Sequence, residues 1–361
     1  MPKFIPGLEL SRLFYKEAVK PVLDSHFSEL SYSAARLGPS SDVLGYDTVR
    51  STDHSWGPRL QLFVAESDFA EYSQQISAAL ARSLPVEFHG YPTSFTKIEG
   101  ENSRLLTPVT SGPVSHWVEI LTVRSFFDEM LGVDPFGPIS ATDWVTFSGQ
   151  SLLSVTRGAV YSDSPADLAA VRQRFEYYPN DVWLYLLAAQ WTRIGQEEPF
   201  MARCAEAGDH LGSRLVAAHL VQDVMRLCFL MEKRYAPYSK WFGTAFRELA
   251  LSRALSPSLD AVLASGDWEV RQRHLSDAYE FVARAHNELG VTEDLDPVVA
   301  SFHDRPYDVI GGDRFAAAIR SQIRDQEVLA LTPDIGSVDQ FSNSTDILSH
   351  PDRRRRLSAV Y

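Results

Sequence analysis

Hydrophobic positions recur at near-helical spacing over residues 8–28, where Leu10, Leu13, Phe14, Val19, Val22 and Leu23 form a stripe. Short extended runs follow. Residues 32–37 read as a strand that stops at Gly38-Pro39-Ser40-Ser41, and Arg59-Leu60-Gln61-Leu62-Phe63-Val64 alternates with the period of a sheet. Ser67-Asp68 predicts the cap of a helix running to about Leu84. Residues 86–89, 116–123 and 159–161 are further strand candidates, and the Gly/Pro/Ser/Thr-rich stretch 90–113 reads as an excursion or hairpin.

Beyond residue 164 the strand signals fade. Helical periodicity covers 167–175, 181–194, 200–235, 241–255 and 268–289, punctuated by Pro179, Pro199, Pro237 and Pro257. The expected fold class is α+β: a mixed sheet with helices over residues 1–163, then a mostly helical bundle over 164–361 with a mixed terminal segment from 290. The closing Arg353-Arg354-Arg355-Arg356 reads as a solvated tail, and Arg193 with Glu197 as a surface ion pair at i,i+4 spacing.

Composition alters this picture little. The 361 residues are 45% hydrophobic and 22% charged, which excludes disordered, collagen-like and coiled-coil classes. A net charge of −13 disfavours nucleic acid as a partner. Cys204 and Cys228 lie far apart in no metal-binding spacing and read as inert thiols. The N-terminus has no apolar run of signal-peptide length, and His219, Asp223 and Arg226 make the most apolar helix too polar to span a membrane, so a soluble cytoplasmic protein is expected.

Candidate chemistry begins at the turn after the first strand. Gly38, Ser40 and Ser41 offer backbone N–H groups and hydroxyls to a phosphate. Asp53 follows twelve positions after Ser41, just before the second strand. An Asp-x-acid pair there places two carboxylates on one face, able to hold Mg²⁺ against a triphosphate.

This arrangement resembles the nucleotidyltransferase superfamily, whose signature is a Gly-Ser or Gly-Gly turn followed by Asp-x-Asp/Glu. Over nearly its full length the chain is similar to a bacterial family with a nucleotidyltransferase-like N-terminal domain. The residues that carry this are Leu44-Gly45-Tyr46-Asp47, Ser51-Thr52-Asp53-His54, Trp56-Gly57-Pro58-Arg59, Tyr177-Tyr178-Pro179-Asn180-Asp181-Val182-Trp183, Tyr238-Ser239-Lys240-Trp241 and Asp339-Gln340-Phe341. The two-part architecture also resembles the aminoglycoside nucleotidyltransferases. The resemblance implies Mg²⁺-dependent transfer of a nucleoside monophosphate from an NTP, ATP by expectation, to a hydroxyl of a small molecule. Asp53 and position 55 would hold the metal, Glu119 or its rival Glu87 would act as base, and Tyr238 and Lys240 would meet the nucleotide. Position 55 is Ser, a far weaker Mg²⁺ ligand than a carboxylate. Three readings stay open: a crippled site, a substitute acid elsewhere, or a protein that binds a nucleotide or partner without turnover. Asp47 reads as a loop cap. The oligomeric state is left open.

Overall fold

The computed structural model describes residues 2–100, 103–164 and 167–361. It contains a mixed sheet with helices and then a helical region. By contacts the chain forms two compact units: 1–138 with 151–176, and 139–150 with 177–361. Sequence reading places a single boundary near 164; in the structure the chain passes between the units three times.

The first unit is built on four strands: β1 (Tyr32–Arg36), β2 (Arg59–Val64), β3 (Trp117–Leu121) and β4 (Ala159–Asp163). Their spatial order is β3-β2-β1-β4. β1 pairs antiparallel with both β2 and β4, and β4 carries one extra residue, Tyr161, between Val160 and Ser162. β2 pairs parallel with β3, Arg59 opposite Trp117 and Gln61 opposite Glu119. A parallel pair needs a crossover, supplied here by the helix Glu66–Ser83 and two small hairpins. All six residues of β2 are buried. Leu60, Leu62 and Val64 join Leu10, Phe14, Val19 and Leu80 in one apolar core. Alternation sends Arg59, Gln61 and Phe63 to the opposite face.

Several helices depart from expectation. The first is interrupted by a π-helical turn at Tyr15–Val19, just before Pro21, which lacks the N–H that regular i→i−4 bonding requires. The helix after β2 begins at Glu66 with Ala65 as N-cap; the Ser67 hydroxyl instead bonds Asp68. The periodic stretch 200–235 divides into Phe200–Glu206 and His210–Met231, because Gly208 takes a φ of 81° and Asp209 caps the second helix through Gly212 N–H. Pro257 does not end a helix but lies inside Ser252–Ala264. Arg354 of the expected solvated tail is 1% exposed and donates to Leu348 O. Arg193 pairs with Asp223 at 3.3 Å, while Glu197 faces His219. Among the described residues no helix is long and apolar enough to cross a membrane.

In the second unit the helices Asn180–Glu197 and Gly312–Arg320 approach so closely that glycine is required. A Cβ on Gly312 would lie 2.3 Å from Trp191 O, and the Trp191 and Phe315 rings stack 4.2 Å apart. Gly312→Ala is therefore expected to cost about 1–3 kcal/mol through overpacking, read as a lowered urea midpoint; an unchanged midpoint would show that the helices separate freely.

Glu198 clips the same region, accepting the N–H groups of Ile310, Gly311 and Gly312. Burial raises its carboxyl to about 7, against those backbone donors. The folded chain thus binds this proton more tightly than the unfolded one. That stabilisation is complete below 4.5 and is lost as pH rises through about 7. Glu198→Gln turns one of the accepting oxygens into a donor, so it is expected to weaken the clip and to flatten the pH dependence of the urea midpoint across that window.

Candidate functional site

The end of β1 leads into the turn at Gly38, and the turn into a four-residue helix, Ser41–Leu44. Gly38 has a φ of 108° and donates its N–H to Ser154 O at 2.9 Å. Asp42 lies 1% exposed beneath this turn, between two guanidiniums. Arg36 meets it through Nε at 2.8 Å and Nη2 at 3.1 Å, and Arg59 of β2 through Nη2 at 3.1 Å. Both arginines also donate to the Ser40 hydroxyl, at 2.8 and 3.1 Å, and Arg36 Nη1 donates to Leu37 O.

Burial alone would raise the Asp42 carboxyl, but the Arg36 and Arg59 charges outweigh it and hold it at about 2. For Arg59, burial and the neighbouring Arg36 charge lower the guanidinium to about 9, against the pull of Asp42 and Glu119. Its Nε is sealed from solvent and has no hydrogen-bond partner among the described residues. Its guanidinium lies 4.5 Å from the Trp117 ring, where Arg104 also packs at 4.7 Å.

Gln61 joins this cluster to β3. Its Oε1 accepts Leu37 N–H at 3.0 Å, and its Nε2 donates to Glu119 Oε2 at 3.0 Å. Glu119 is half-buried. The rival Glu87 is exposed on a two-residue strand paired with Tyr91–Pro92.

Asp53 and Ser55 take a different form from a strand-borne pair. Asp53 closes the 3-10 turn Val49–Asp53, and its side chain is 64% exposed, 3.0 Å from His54 Nδ1. Ser55 has a φ of 47°, donates its N–H to Arg104 O at 2.7 Å and accepts Arg104 N–H on its hydroxyl at 3.4 Å. Neither position is part of a strand, so alternation does not bring the two side chains to one face. Asp47 is the loop cap: its Oδ2 accepts Gly7 N–H at 2.7 Å and the Trp56 indole at 2.9 Å. Tyr238 and Lys240 belong to the second unit. Tyr238 N–H points at Gln150 Oε1, 3.4 Å away, and the exposed Lys240 ammonium lies 5.1 Å from the Trp241 ring. Among the described residues no three His, Cys, Asp or Glu side chains cluster to hold a metal.

Sequence reasoning missed Arg36, Asp42 and Gln61, and met Arg59 only as part of a motif. The available signal was the alternation of β2, which places Arg59 and Gln61 together on the face away from Leu60 and Leu62.

Asp42→Asn leaves two buried guanidiniums without their anion, so a loss of about 3–5 kcal/mol is expected. The native chain should also lose stability as pH falls from 3.8 through about 2, because Asp42 must then take up a proton it binds more weakly than in the unfolded chain. Guanidinium denaturation of both proteins across that range checks this; equal stability of the variant would remove the cluster's structural role.

No curated protein matches the chain. A family model described as a domain of unknown function (DUF4037) matches residues 144–242. Among solved structures the chain is similar to a nucleotidyltransferase-like protein from Exiguobacterium sibiricum 255-15, at 9% identity and a TM-score of 0.35, over 80% of this chain and 83% of that one.

Proposed function

We propose that the first unit handles a nucleotide, and that the protein transfers a nucleoside monophosphate from an NTP to a hydroxyl of a small molecule. The carrying observation is Gln61, which hydrogen-bonds both Leu37 at the mouth of the Gly38–Ser41 turn and the Glu119 carboxylate. The turn that would receive phosphate and the carboxylate that would act as base are thereby fixed in one chain of hydrogen bonds. Glu119 takes the proton of the attacking hydroxyl as the hydroxyl oxygen bonds the α-phosphorus and the bond to the leaving pyrophosphate breaks. Arg36 and Arg59 hold the Ser40 hydroxyl in place and leave an excess of positive charge beneath the turn. Mg²⁺ would meet only one exposed carboxylate of this chain here, Asp53, with Ser55 a weak partner, and would supply charge neutralisation alongside the nucleotide's own oxygens.

A second reading rests on a specific observation. Asp53 is engaged by His54, and Ser55 is tied to the Arg104 backbone. That arrangement favours nucleotide binding without turnover.

A labelled-NTP assay over a panel of small-molecule alcohols, run beside calorimetry with ATP and Mg²⁺, separates the two. The first reading expects transfer that Glu119→Gln lowers by about 10²–10⁴-fold and Ser55→Asp increases. ATP binding with no transfer by the native chain or by Ser55→Asp selects the second reading. Absence of nucleotide binding sinks both.

A further inference from the structure

The second unit contains an arginine that faces open clefts without a protein acceptor. Arg226, on the helix His210–Met231, lines two small clefts, and Asp339 lines the same two. Tyr178 and Tyr235 border one; Tyr238, Ser239 and Asn343 border the other. Three motifs noted in the sequence, around Tyr178, Tyr238 and Asp339, thus meet at one place although they are far apart along the chain.

A guanidinium carries five N–H donors and no acceptor. Among the described residues the Arg226 guanidinium has no hydrogen bond and no ion pair; it lies 5.5 Å from the Phe242 ring. The carboxylates that influence it each accept from another donor, and Asp223 Oδ2 has no hydrogen-bond partner among the described residues. Asp339 accepts Gly149 N–H at 2.6 Å, and Asp223 Oδ1 accepts from Gln190 at 2.9 Å and Arg193 at 3.3 Å. Burial lowers the pKa of Arg226 despite the opposing pull of Asp339 and Asp223. Asp339 is in turn shared with a second cation, Arg354. The cluster is therefore a partly desolvated cation with unmet donors and an excess of positive charge, open to a cleft. A planar guanidinium in that condition matches a phosphate or carboxylate.

We propose that Arg226 anchors a small oxyanion, a phosphate or carboxylate group, in the cleft of the second unit bordered by Tyr238, Ser239 and Asn343. The site stands independently of the nucleotidyl-transfer reading, because it uses none of the first unit's residues.

The test is titration of the full chain with inorganic phosphate and, separately, acetate, followed by thermal shift and by ³¹P line width for phosphate. Chloride at equal ionic strength is the reference. Saturable stabilisation by either anion beyond chloride is expected, and the stronger of the two identifies the group. Arg226→Gln should weaken it by about thirtyfold or more, as expected when one partner of a buried charge pair is removed. Asn343→Trp, at an exposed position on the rim, should block the cleft without touching the core, so the test survives if the Arg226 variant does not fold. Binding no stronger than chloride overturns the proposal, as does binding that persists in the folded Arg226 variant or in Asn343→Trp. Phosphate held at the first unit's turn would persist in both.

Discussion

One buried carboxylate organises the end of the first unit's sheet where the candidate site lies. Asp42 belongs to the short helix that follows the turn after β1, Arg36 to the end of that strand and Arg59 to the start of the next, so their ion pairs fix three segments at once. Charges this deeply buried are expensive unless paired and hydrogen-bonded. The turn can therefore take very few other shapes without stranding a guanidinium. Gly7 belongs to the same constraint: a Cβ there would lie 2.6 Å from Asp42 Cβ, so the first helix can seat only as glycine permits. The position of Ser40, the route of the chain into Gly38 and the packing of Arg59 on Trp117 all follow from this cluster.

Much of the sheet was legible because its strands obey a simple pattern. β2 was located to the residue, since alternating Leu60, Leu62 and Val64 against Arg59 and Gln61 has no competing interpretation. Helix limits were less legible where backbone chemistry overrides periodicity. The π-turn before Pro21 and the break at Gly208 interrupt apolar stripes that continue through them, while Pro257 fails to interrupt one. The site was legible in part. The Gly/Ser turn and Glu119 lie where the strand pattern leads, and Gln61 connects them. Asp42 was not legible, because a carboxylate after two serines looks like an ordinary cap until the tertiary fold brings Arg59 against it.

The second unit follows a related rule. Its interior contains charged groups that periodicity does not reveal: Glu198 among three backbone donors, and Arg354, read from sequence as part of a solvated tail, at a Leu348 carbonyl. Glu198 is placed by partners distant along the chain, which periodicity does not register, and Arg354 by the carbonyl of a preceding short helix. Glycine does comparable work by subtraction, letting Gly195 and Gly312 bring two helix backbones together.

The sheet's connectivity also governs how the chain can be assembled. β1 has partners on both sides, but β4 begins only at Ala159, after the chain has contributed residues 139–150 to the other unit. During synthesis β1 therefore waits with one edge unpaired while more than a third of the chain emerges, a state prone to pairing with the wrong strand. The small side chains of Ser33-Ala34-Ala35 in β1 offer little apolar surface to such an intruder. Neither unit is a contiguous stretch of sequence, so a cut at a single residue cannot liberate one of them whole.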